Sequence, residues 1–378
     1  MAGHSCTGDC FPRSGTSLGQ VTVDLGMPGI PGQSGAVASP ALDPARPDDP
    51  RLIDGFDRVA KDLRVSLTDR CNLRCTYCMP AEGLDWTPSE ALLTDDELMR
   101  VLGIAVERLG VRAIRFTGGE PLLRRGLESI IAATAALEPR PQISMTTNGI
   151  GLSRRAGRLA AAGLDRINIS LDTLDPDRFN TIARRDRLPD VLAGLAAAHE
   201  AGMVPVKVNT VLMRGINDDE ATSLLRYCVD HGYHLRFIEQ MPLDPQHGWN
   251  RAEMVTADEI LAALRTEFEL SPSPVRRGSA PARLWLVDGG PADVGVIASV
   301  TKPFCADCDR TRLTADGSVR SCLFSQQETD LRGLLRSGAD DEDVANAWRG
   351  CMWRKLAGHE INDEGFVQPL RPMSAIGG

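Results

Sequence analysis

From about residue 60 the chain repeats one pattern: a short apolar or β-branched run, a helical stretch, then another run. The runs fall at 63–68, 113–117, 143–147, 167–171, 204–213 and 235–241, with helical periodicity over 94–109, 122–137, 154–162, 189–201 and 218–230. Thr94 and Glu97 form a capping box, and Gly110, Gly163 and Gly202 stand where helices should stop. Strands joined through helices cannot pair as hairpins. They must lie parallel and be covered by those helices. The fold class is therefore α/β, either an open doubly wound sheet or an incomplete barrel, with chemistry at the C-terminal strand ends in both.

The residues at those ends fit that rule. Cys71 to Cys78 follow the first run, Gly118-Gly119-Glu120 the second and Asn148-Gly149 the third. Asp172 and Thr173 follow the fourth, Asn209 lies in the fifth, and Glu239 to Met241 close the sixth. After residue 255 the alternation stops. A helix is expected at 256–268, then strands at 282–287 and 294–299. A hairpin turning at Asp316-Gly317 would bring Cys322 beside Cys305 and Cys308. Helices are expected within 330–357, with Trp348, Trp353 and Leu356 at apolar positions and Cys351 packing as a small hydrophobe. The expected division is an extension over 1–50, a main body over 51–285 and a C-terminal region over 286–378.

The extension holds eight Gly and seven Pro in fifty residues without a helical or strand period, and reads as disordered. His4, Cys6 and Cys10 within it read as loose polar residues rather than metal ligands. A net charge of −9 argues against a nucleic-acid partner. No apolar run reaches membrane-spanning length, and the start resembles no secretory leader, so a cytoplasmic protein without a membrane partner is expected. In that reducing setting, clustered cysteines read as metal ligands rather than disulfides.

The first cluster, Cys71-Asn72-Leu73-Arg74-Cys75-Thr76-Tyr77-Cys78, places three thiols within eight residues. Three thiolates suit a [4Fe-4S] cluster with one iron left open for a ligand, whereas zinc would want a fourth Cys or His nearby. The second cluster is Cys305, Cys308 and Cys322. It suits another such cluster, with a three-cysteine zinc site as the competing reading.

The first motif, its aromatic Tyr77 and the Gly118-Gly119-Glu120-Pro121 turn resemble the radical S-adenosylmethionine superfamily. The stretch from Phe304 to Phe324 and the terminal Gly377-Gly378 resemble the molybdenum cofactor biosynthesis protein A family, the GTP 3′,8-cyclases. The resemblance runs from about residue 55 to the end. It implies an incomplete (β/α)6 barrel with a C-terminal auxiliary-cluster region. It also implies two [4Fe-4S] clusters, on Cys71, Cys75 and Cys78 and on Cys305, Cys308 and Cys322.

By the same resemblance, Tyr77, Gly118, Gly119, Glu120, Ser170 and Met241 would bind S-adenosylmethionine. Arg64, Arg115, Thr146, Lys207, Arg236, Arg310 and Arg312 would bind GTP. Independently, Arg64, Arg115, Lys207 and Arg236 are charges inside apolar strands, which is costly unless each finds a partner. The first three cysteines, Arg310, Arg312, Gly377 and Gly378 would act in catalysis. Ala113 stands where a phosphate-holding lysine is expected, and Asp309 where the family often has Asn.

The implied reaction is that of a lyase. A 5′-deoxyadenosyl radical takes hydrogen from ribose C3′ of GTP, and the C3′ radical adds to guanine C8. The product is (8S)-3′,8-cyclo-7,8-dihydroguanosine 5′-triphosphate, the first step toward the molybdenum cofactor. A homodimer, a downstream cyclic pyranopterin monophosphate synthase and an electron donor are the implied partners. Competing readings are a peptide maturase of the same superfamily and a non-catalytic iron–sulfur or zinc protein.

Overall fold

The computed structural model describes residues 42–377. His4, Cys6, Cys10, Gly378 and most of the expected extension lie outside them. Residues 46–50 are held rather than loose: Arg46 donates to the carbonyls of Asp49 and Arg51, and Arg349 Nε donates to that of Pro50.

The first half alternates as expected: β1 (Asp62–Ser66), α1 (Asp95–Gly103), β2 (Ala113–Thr117), α2 (Leu127–Ala135), β3 (Gln142–Thr147), α3 (Ala156–Ala161) and β4 (Arg166–Ser170). Next come α4 (Pro176–Ala183), α5 (Leu188–Glu200), β5 (Lys207–Val211), α6 (Ala221–Asp230), β6 (His234–Ile238) and α7 (Ala257–Leu264). The Thr94 capping box is present. Helix α4 was not anticipated, although Asp175 caps it and Pro176 opens it, both ordinary helix-start signals. The helix expected at 122–137 begins only at Leu127, because Gly126 takes a left-handed conformation that interrupts the turn at Pro121–Leu123.

The remaining strands are β7 (Leu270–Pro272), β8 (Arg283–Val287), β9 (Asp293–Ile297), β10 (Arg310–Leu313), β11 (Ser318–Arg320) and β12 (Thr329–Asp330). Helices α8 (Leu331–Arg336), α9 (Asp341–Trp353) and α10 (Met373–Ile376) complete the order. The twelve strands of the described residues form one sheet, ordered β12-β11-β10-β1-β2-β3-β4-β5-β6-β9-β8-β7. The C-terminal strands were expected as a separate region. Instead β10 pairs parallel with β1, and β9 parallel with β6. The sequence division at 285/286 falls inside β8. Trp348 is fully buried and Cys351 packs as expected, but Leu356 is exposed.

The two faces of the sheet differ. Leu63, Val65, Ile114, Phe116, Ile143, Met145, Ile167, Ile169, Val208, Leu235 and Phe237 are fully buried, in one core with the apolar faces of the helices. The alternate positions are Asp62, Arg64, Arg115, Ser144, Thr146, Asn168, Ser170, Lys207, Asn209 and Arg236. Successive residues point to opposite faces, so one helix layer covers the apolar side and the polar side is left for the site. A doubly wound sheet would need both faces apolar, so this patterning selects the partial barrel.

Candidate active site

Register places the arginines before any ligand is considered. Arg64 lies opposite Arg312 on one side and Arg115 on the other, and Arg115 opposite Ser144. Three guanidiniums thus share one level of the polar face. One row lower, Asp62 lies between Arg310 and Ala113. Asp62 accepts two hydrogen bonds from Arg64 at 3.1 Å. Burial and then repulsion from Arg64 pull Arg115 down to about 9, and burial pulls Arg312 the same way. A guanidinium does not give up its proton in a protein, so these shifts reflect buried, crowded positive charge that Asp62 offsets only in part.

Two adjoining cavities occupy this face. The first, about 230 Å3, is lined by Cys71, Cys75, Tyr77 and Cys78, the Gly118-Gly119-Glu120 turn, Ser170, Asp172 and Ser374. The second, about 170 Å3, is lined by Arg64, Arg115, Arg310, Arg312, Phe304, Cys305, Cys308 and Cys322. Thr146, Asn209, Met241 and Met373 line both. Ligands in the two would therefore meet across these side chains.

In the first cavity the two glycines are steric necessities. A Cβ at Gly118 would stand 2.3 Å from the Thr68 carbonyl, and one at Gly119 2.3 Å from that of Arg70. Only glycines let the β2 turn lie against the cysteine loop. Glu120 is buried and accepts from Thr147 Oγ1 at 2.6 Å and from the amides of Asn148 and Leu122 at 2.7 and 2.9 Å. Burial outweighs these bonds and pushes its carboxyl up to about 7. Tyr77 donates its hydroxyl to Asp172 at 2.8 Å, and burial pushes Asp172 up to about 6.

The thiols suit a multinuclear metal centre. Burial pushes Cys71 up to about 11 and Cys78 to about 12, so thiolates here need a cation close by. Burial also raises Cys308, but Arg310 and Lys355 override it and bring it down to about 7. Among the described residues no three His, Cys, Asp or Glu side chains converge as ligands of one ion. Each triad nevertheless lines one cavity, as a wider cluster requires. Buried Arg310 Nη2 and Ser374 Oγ, one in each cavity wall, have no hydrogen-bond partner among the described residues, which fits a polar ligand.

Lys207 and Arg236 do not line either cavity. Arg236 is bonded to Asp293 at 2.8 Å and packs against Gly295, as a structural ion pair would. Lys207 lies on the same face, where burial and then Arg236 draw it down to about 8. Gly377 is brought to the site: its carbonyl accepts from Arg312, and it packs on Ser66 and Thr117. Lys355, Met373 and Ser374 escaped the sequence reading. Buried Lys355 donates to the carbonyls of Arg310 at 2.9 Å and Cys308 at 3.3 Å, with Cys308 Sγ at 3.4 Å. It sits just past a helix end, where sequence offers no signal that it turns inward.

A three-cysteine loop beside a Gly-Gly-Glu turn, at the mouth of a partial parallel barrel, defines a radical S-adenosylmethionine enzyme, and the model of the radical SAM superfamily matches residues 65–228. That of Molybdenum Cofactor Synthesis C matches residues 233–361. The chain belongs to the GTP 3′,8-cyclase family. It is 67% identical to the GTP 3′,8-cyclase of Mycobacterium sp. (strain KMS) over 86% of this chain and 93% of that one. Identity to the enzyme of Streptomyces coelicolor is 67%, over 86% and 96%. To that of Mycolicibacterium smegmatis it is 62%, over 94% and 99%. Among solved structures, Streptococcus suis SuiB shares the fold, with a TM-score of 0.54 over 78% of this chain and 67% of that one at 13% identity.

Proposed function

We propose that this chain cyclises GTP to (8S)-3′,8-cyclo-7,8-dihydroguanosine 5′-triphosphate, the first step of molybdenum cofactor biosynthesis. The observation that carries the reading is the row Arg312–Arg64–Arg115, left short of negative charge in a cavity that opens into the cysteine-lined one. Guanidiniums recognise phosphate oxygens bidentately, so this row and Arg310 hold the triphosphate.

Cys71, Cys75 and Cys78 would hold an iron–sulfur cluster and, with it, S-adenosylmethionine, whose one-electron reduction would supply the radical chemistry for ribose C3′. The chain's own residues do the rest. Glu120 presents a buried carboxylate to the cofactor's cationic end. Asp172 fixes the Tyr77 ring through its hydroxyl. Met241 and Thr146, shared by both cavities, set the approach of cofactor to ribose. Cys305, Cys308 and Cys322, which line the second cavity, would hold a second cluster whose open iron would supply a contact for the guanine. Gly377 accepts from Arg312 and so ties to the site the tail whose Met373 and Ser374 line the cavities.

A homodimer, an electron donor, a downstream synthase and a cytoplasmic setting accompany this reading. Among the described residues no helix is long and apolar enough to cross a membrane.

The test is anaerobic reconstitution with iron and sulfide, then S-adenosylmethionine, dithionite and nucleotide. GTP should release 5′-deoxyadenosine with a product isomeric with GTP, while ATP should not. Release indifferent to the nucleotide would overturn the substrate. Zinc at the second triad with no iron in the chain would overturn the chemistry.

A further inference from the structure

One face beside the first cysteine loop runs against the charge of the whole. The chain carries −9. Yet Arg154, Arg155 and Arg158 line a groove of about 460 Å3 with Asn72, Leu123 and Ile150, and no carboxylate lines it. Arg155 is framework, bonded to Glu128 and the Leu122 carbonyl at 2.6 Å each. Arg154 and Arg158 are exposed, and so is Arg125, two residues beyond Leu123 in the sequence. The Arg158 side chain is 67% exposed, and Glu128, 3.5 Å away, is already held by Arg155. Leu123 is 45% exposed beside them.

Beneath the groove lies the cysteine loop. Asn72 Oδ1 stands 4.0 Å from Cys71 Sγ and accepts from Asn148 Nδ2 at 2.7 Å. A basic rim with apolar contacts at Leu123 and Ile150 thus sits a single side chain above a thiol of the first triad. An acidic partner would be repelled by the chain's net charge, and a local basic rim is what steers it to one place.

We propose that this groove docks a small acidic one-electron carrier protein, the reductant of the first cluster. In the docked pair the carrier would give up one electron and the cluster that Cys71, Cys75 and Cys78 would hold would take it up, with no bond made or broken. The inference rests on the reading of Cys71, Cys75 and Cys78 as cluster ligands.

The experiment compares wild type with the double variant Arg154→Glu, Arg158→Glu, both cluster-loaded, under two reductants. One is saturating dithionite, the other an acidic flavodoxin reduced by its NADPH-dependent reductase. Calorimetric titration with flavodoxin at low salt should show the variant binding at least ten-fold more weakly than wild type; with flavodoxin as reductant the variant should form 5′-deoxyadenosine at least ten-fold more slowly, and the wild-type rate should fall several-fold from low to high salt. With dithionite the two should agree within two-fold. Equal flavodoxin-driven rates overturn the proposal. So does a salt-independent wild-type rate, or a wild type that dithionite drives and flavodoxin does not. Should the reversal lower the dithionite rate by disturbing the fold, the neutral pair Arg154→Gln, Arg158→Gln is read by its salt slope, which should flatten; an unchanged slope overturns the proposal. Failure of wild type with dithionite is a separate result, and strikes the proposed function itself.

Discussion

The carbonyl of Gly377 accepts a hydrogen bond from the guanidinium of Arg312, which joins the C-terminal segment to β10. Arg371 anchors the same tail, bonding Asp316 at 2.7 Å and Glu328 at 2.8 Å. The tail is therefore part of the site wall.

Gly377 has a φ of +79°, and a Cβ there would stand 2.6 Å from both Ser66 Oγ and Thr117 Cγ2. Gly377→Ala must shift the tail by about an ångström, and such misplacement costs about 100-fold in rate. The expected result is that loss in GTP-dependent 5′-deoxyadenosine with a nearly unchanged melting temperature. A variant that melts early and retains its rate would show the tail to be structural.

Arg115→Met should weaken GTP binding by about 1.5–3 kcal/mol, the range for a hydrogen bond to a charged group. Calorimetric titration with GTP measures this directly. Unchanged affinity would remove Arg115 from the triphosphate site.

Arg236→Met should do the opposite, lowering stability while leaving GTP affinity alone. Burial would raise Asp293, but the hydrogen bond with His234 and the charge of Arg236 hold it down to about 2. Its folded value lies below its unfolded one. The stabilisation is therefore present above about pH 4 and is lost as pH falls through about 2. Solvent screening reduces it to about 1–2 kcal/mol. Denaturant melts at pH 2 and pH 6 should show the wild-type advantage at the higher pH alone.

Those two arginines mark how far the sequence could be read. Each is a charge in an apolar strand, and the chain says only that each needs a partner. Arg115 shares its row with Arg64 and Arg312; Arg236 found Asp293 on β9. The difference is one of strand pairing between distant segments, which local pattern does not encode. The alternation, the glycine turn and both cysteine motifs were legible because each is a local rule. The placing of β9 and β10 at the flanks of the parallel strands was not, nor was the inward turn of Lys355.

Glu120 gives the pH test. Its folded value is raised to about 7, so its ionised form costs stability, a cost that grows as pH rises from the unfolded value through about 7. A cation beside the carboxylate repays that cost. S-adenosylmethionine affinity should rise about ten-fold between pH 6 and pH 8. In Glu120→Gln the step should vanish, and its persistence would assign the titration to another group.

The central claim is that the two cavities form one site, with the ribose of GTP at their junction. The most direct measurement uses GTP carrying deuterium at C3′, incubated anaerobically with the reconstituted enzyme, S-adenosylmethionine and dithionite. Mass spectrometry of the 5′-deoxyadenosine should find one deuterium transferred per molecule in the first turnover. Unlabelled 5′-deoxyadenosine formed at the same rate would place the abstracted hydrogen elsewhere and contradict the joined-cavity site.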